Sequence, residues 1–130
     1  MAAGRSACRE AAPPLLRAGI AQFNRGEYFE QHETIESLWR AEPRPVRALY
    51  QGVLQVGVAF HQVRRNNYHG AVTVLRRGVA HLRPFAPACQ QVDVAALIAD
   101  AERALAALEA LGPERMTAFD WQLAVCVRLL

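Results

Sequence analysis

Between Pro45 and the Asn66-Asn67 pair runs a stretch that is apolar on nearly every side of a helix. Leu49, Tyr50, Val53, Leu54, Val56, Val58, Phe60 and Val63 leave it no broad polar face. A helix of this kind cannot stand at the surface of a water-soluble protein and has to be covered by neighbours. The segment from about Val46 to Arg65 is therefore expected at the centre of a helical bundle. Gly52 and Gly57 weaken it as a helix, so they are expected where adjoining helices press close.

The flanking segments have the periodicity to cover it. Pro13-Pro14 suits a helix start, Leu16, Ile20 and Phe23 recur at helical spacing, and Gly26 stands where a C-terminal cap belongs. A second helix is predicted from Glu27 to Arg40, with Tyr28, Ile35 and Trp39 as its apolar stripe. Asn67 is placed to cap a fourth helix over Tyr68 to Arg83, with Val72, Leu75, Val79 and Leu82 inward. Asp93 caps a fifth that reaches Leu111, where Gly112-Pro113 stops it. The stretch LAVCVRLL near the C-terminus fits a buried helix end or a short strand, with helix preferred. The fold class is all-α, a compact bundle of about five helices arranged as helix hairpins. FNRGEY (23–28) and VRRNNY (63–68) form a faint echo, each ending one helix and opening another. The expected organisation is a flexible tail over 1–12 and one helical domain over 13–130.

Composition narrows the function classes. Hydrophobic residues make up 52% and charged residues 21% of the 130, a globular balance rather than a disordered one. No run approaches the ~18 apolar residues of a membrane helix. All fifteen basic residues are arginine, yet the net charge is only +3 and the arginines are scattered, so nucleic-acid binding is not expected. Cys8, Cys89 and Cys126 stand far apart without a CxxC pair. The odd count argues against a disulfide framework and for a reducing cytoplasm.

The chemistry concentrates in GEYFEQHETIESLW. At about 100° per residue, His32, Glu36 and Trp39 share a side with Tyr28 and Ile35, and Phe29 and Glu33 border it. A histidine and a glutamate are thus expected on a buried face, where charges are usually paired. On the third helix His61 lies on the side of Tyr50, Leu54 and Val58, with Gln51, Gln55 and Gln62 as a polar strip. Packing these two helices together gathers His32, Glu33, Glu36, Gln51, Gln55 and His61. His69 and His81 fall toward the exposed side of the fourth helix.

Such a cluster reads in two ways. It is a hydrogen-bond network that fixes the register of two helices, or a site for a divalent metal or small ligand. In the metal reading His32, Glu36 and His61 are ligands and Glu33 or Glu36 is the base of a metal-assisted hydrolase. HETIE departs from HExxH, because Glu36 stands where the second histidine would be. A third class, a homo-oligomer or interaction module, follows from the surplus of apolar surface on the central helix and in the tail.

The chain resembles a known family at these residues. The GEYFE-x-HE-x-x-E-x-x-W helix, the QG-hydrophobic-Q helix and the N-x-x-GA turn are matched by Gly26 to Trp39, by Gln51, Gly52 and Gln55, and by Asn67, Gly70 and Ala71. They resemble the family named domain of unknown function 309 over about residues 15–85. The resemblance implies a compact all-α bundle and no assigned activity. Residues 90–130 fall outside it.

Overall fold

A computed structural model describes residues 3–130. Five α-helices form its body: α1 (Pro14–Asn24), α2 (Tyr28–Ala41), α3 (Arg47–Arg64), α4 (Tyr68–Leu82) and α5 (Val94–Leu111). A two-residue hairpin, β1 (Ala88–Cys89) and β2 (Val92–Asp93), precedes α5 and pairs antiparallel. α3 is the central element, packed between α2 and α4, while α1 lies on α2 and α5 on α4. Leu49, Tyr50, Val53, Val56, Ala59 and Phe60 are all fully buried on it.

The two glycines of α3 sit where helices crowd, as expected. A Cβ on Gly52 would stand 2.7 Å from the Leu82 side chain and 3.1 Å from the Gly78 carbonyl of α4. A Cβ on Gly57 would stand 2.4 Å from the Gln31 amide of α2. Small residues let backbones and buried side chains approach this closely, at the cost of some helix propensity.

The echo between FNRGEY and VRRNNY has a structural counterpart. In the first turn the Gly26 N–H donates to Phe23 O and the Glu27 N–H to Gln22 O. In the second the Asn66 N–H donates to Val63 O and the Asn67 N–H to Gln62 O. Gly26 (φ 78°) and Asn66 (φ 58°) both take the left-handed conformation that ends a helix with its last carbonyls satisfied. The caps also form: Asn67 Oδ1 accepts from the Gly70 N–H and Asp93 Oδ1 from the Ala96 N–H. Arg64 then braces the first turn. It donates to Gly26 O at 2.5 Å, with its guanidinium over the rings of Tyr28 and Trp121 at 4.6 and 5.5 Å.

Three expectations are corrected. The C-terminal stretch is not helical. Short 3-10 turns at Met116–Ala118 and Trp121–Leu123 lead into an extended end. Val125 and Val127 are buried, Cys126 between them is exposed, and Leu129 bridges to Val92. That alternation is the strand period, and the tail uses it to cap the bundle. The segment expected as a flexible tail over 1–12 holds a 3-10 helix at Ala3–Arg9, with Ala7 and Ala12 buried; Met1 and Ala2 lie outside the described residues. Cys8 and Cys89, whose odd-numbered set argued against a disulfide framework, form a disulfide (S–S 2.08 Å) that ties this helix to the hairpin and leaves Cys126 over. Counting parity cannot see a pairing across 81 residues of sequence.

Candidate functional site between α2 and α3

The buried stripe of α2 is Tyr28, Gln31 and Ile35, spaced by three and four. His32, Glu36 and Trp39 flank it and are only half-buried. The sequence reading shares Tyr28 and Ile35 with this stripe but took Trp39 as its third member, because a glutamine at 31 gave no apolar mark. His32 and Glu36 are accordingly not enclosed: their side chains are 38% and 27% exposed. The expected buried cluster is instead an open cleft.

Four of the six expected residues meet there. His32, Glu36 and Trp39 from α2 face Gln51, Leu54 and Gln55 from α3 across a cleft of about 140 Å³. His32 Nε2 lies 3.2 Å from Glu36 Oε2, and Arg40 pairs with Glu36 Oε1 at 2.5 Å. Gln55 Oε1 stands 2.7 Å from His81 Nδ1 of α4. His81 was expected toward solvent with His69. It turns toward α3 and orients Gln55, leaving the glutamine amide nitrogen for other partners. Trp39 is held by Arg47, whose guanidinium sits 4.7 Å above the ring.

The other two residues stand apart. His61 lines an adjoining, more apolar cleft of about 230 Å³ with Tyr28, Phe29 and Val58, and His32 borders both clefts. The Phe29 ring lies 6.0 Å from the His61 ring. Glu33 is exposed, and its backbone carbonyl accepts from the Ser37 hydroxyl. Among the described residues no three His, Cys, Asp or Glu side chains are grouped so as to hold a metal ion. His32, Glu36 and His61 thus do not form a ready ligand set. His32 and Glu36 alone offer an imidazole nitrogen and a carboxylate from successive turns.

Gln31 is the residue the sequence reading missed. It is fully buried, its Nε2 donates to Leu54 O of α3 at 3.1 Å, and its Oε1 has no partner. It fits only because Gly57 lacks a side chain. The signal lay in the pairing of a polar residue on α2 with a glycine on α3, visible once the two helices are known to touch. Gln31 pins α2 against α3 one residue before His32, so it sets where the histidine stands.

Fold and site together define a helical-bundle protein with an open, polar inter-helix cleft. Residues 16–74 match the model of a family described as Domain of unknown function (DUF309), which bears out the resemblance read from the motifs. The matched segment runs from α1 into α4 and contains His32, Glu36, Gln51 and Gln55; Cys8, His81, Cys89 and α5 lie outside it. No curated protein and no solved structure matches the chain significantly. No helix among the described residues is long and apolar enough to cross a membrane.

Proposed function

We propose that the α2–α3 cleft binds a small polar ligand between His32 and Glu36 on one wall and Gln51 and Gln55 on the other. One observation carries this reading: four hydrogen-bonding side chains border the core yet line an open cleft. Apolar side chains at those positions would serve packing at least as well. Imidazole, carboxylate and two amides offer both donors and acceptors to a ligand of a few heavy atoms. A divalent ion belongs to the class, with His32 and Glu36 as protein ligands and the remaining positions filled by water or a bound molecule. A metal-dependent hydrolase with Glu33 or Glu36 as base and His61 as third ligand needs His61 to reach across from the adjoining cleft. Nucleic acid is not the ligand in this reading, because the net charge is only +3, the arginines are scattered and Arg64 is engaged with Gly26, Tyr28 and Trp121.

Native mass spectrometry of untagged protein beside a His32→Ala variant tests the reading. A mass adduct, ion or organic, that is present in the first and missing in the second is expected. Adduct-free masses for both proteins would contradict it. A second reading, a homo-oligomer, draws on Phe29, which is 53% exposed beside the apolar cleft of His61. Light scattering that gives the monomer mass at every concentration removes that reading.

A further inference from the structure

Away from this cleft, residues 3–12 lie as a strap across the loop that carries the hairpin. Arg5 donates to the carbonyls of Pro84, Ala86 and Ala88 at 3.0, 2.8 and 3.2 Å. The Gln90 N–H donates to Cys8 O at 2.8 Å, and the Ala12 N–H to Gln91 Oε1 at 3.0 Å. Gln90 is itself fully buried. Its Nε2 reaches Ala7 O at 3.4 Å, and its Oε1 accepts from the Tyr50 hydroxyl of α3 at 2.7 Å. The strap thus lies over Gln90, and Gln90 over Tyr50.

The strap has little apolar hold of its own. Ala7 and Ala12 are its buried apolar residues, the smallest that a core can use. Its hydrogen bonds are mostly part-buried or exposed, as is the Glu10–Arg44 ion pair beside them, so water can take their place when the strap lifts. The bundle, by contrast, is closed by the large side chains of α1 to α5. The one covalent tie of the strap is Cys8–Cys89. Its two cysteines differ in exposure: Cys8 is half-buried, while Cys89 is 1% exposed.

We propose that the Cys8–Cys89 disulfide is a redox-operated latch, whose reduction by a dithiol frees residues 3–12 and uncovers the Tyr50–Gln90 pair while the α1–α5 bundle stays folded. A thiolate of the dithiol attacks the sulfur of Cys8, the more exposed of the two cysteines, the S–S bond breaks, and the Cys89 thiolate leaves and takes up a proton. The second thiol of the reductant then attacks the mixed disulfide and releases Cys8 as a thiol. Two electrons and two protons pass to the protein, and the dithiol leaves as its own disulfide. The latch is independent of the α2–α3 cleft.

Limited trypsin digestion of the full chain tests it, with air-oxidised and dithiothreitol-treated protein compared by mass spectrometry and circular dichroism. Cuts after Arg5 and Arg9 are expected at least about tenfold faster in the reduced protein, with the helical signal unchanged, because proteolysis reports local opening. The Cys8→Ser/Cys89→Ser variant is expected to be cut at the fast rate without reductant and to ignore it. Equal rates in both redox states, a helical signal that falls with reduction, or three free thiols in the air-oxidised protein would each overturn the proposal.

Discussion

Gly57→Ala is expected to lose about 2 kcal/mol of stability, although alanine is the better helix former. The added methyl would lie 2.4 Å from Gln31 Nε2 and 3.1 Å from the Phe23 ring. Both neighbours are fully buried, so neither can swing into solvent. Overpacking of this kind costs up to about 3 kcal/mol, and the gain in helix propensity returns about 1. Displacing Gln31 also breaks its bond to Leu54 O and shifts the start of the His32 turn. Urea unfolding measures the loss. A Gln31→Ala/Gly57→Ala double variant is expected to recover part of it, since the space vacated at 31 receives the methyl. A Gly57→Ala protein as stable as the parent would mean that α2 and α3 are not in the close contact described.

The second expectation concerns Tyr50. The ring is fully buried in α3, and the hydroxyl donates to the buried Gln90. Burial pushes the phenol up from its ordinary pKa, while the Gln90 hydrogen bond acts the other way. Tyr50→Ala is expected to cost about 4 kcal/mol, the range for removing an aromatic ring from a core. Tyr50→Phe keeps the ring and strands Gln90 Oε1, for about 2 kcal/mol. Thermal unfolding of the two variants separates ring from hydroxyl. Equal losses would place the whole effect in the hydrogen bond, and a neutral Tyr50→Phe would mean that the hairpin is not held through Gln90.

Much of the helical order was readable because the chain punctuates it. Pro14 opens α1, Gly26 and Asn66 end helices in the left-handed conformation, and Asn67 and Asp93 accept from the backbone as caps. These are local effects of side chain on backbone, which sequence alone can supply. What depends on two distant segments was not readable. Gln31 looks like a surface residue until Gly57 is set opposite it. His81 counts as solvent-facing until Gln55 is found beside it. Cys8 and Cys89 are unrelated until the strap crosses the hairpin. The tail of Val125 and Val127 is ambiguous because a short apolar run fits either period, and only the surface it covers decides between them.

The same dependence explains the site. Helical spacing suggests that His32 and Glu36 stand together opposite Gln51 and Gln55, and the four side chains line one cleft. It could not say how far the stripe is rotated toward solvent, and that rotation separates a buried network from an open cleft. In a buried network Glu36 would be needed for folding. In the cleft it makes two i,i+4 pairs with His32 and Arg40, partly open to water. Such pairs are worth about 0.3–0.5 kcal/mol each.

Urea unfolding of Glu36→Ala beside the parent protein, without added ligand, decides between them most directly. The open cleft predicts a stability loss below about 1 kcal/mol. A loss of about 2 kcal/mol or more would show Glu36 to be a structural partner whose removal strands a buried group, and would contradict the cleft as a binding site.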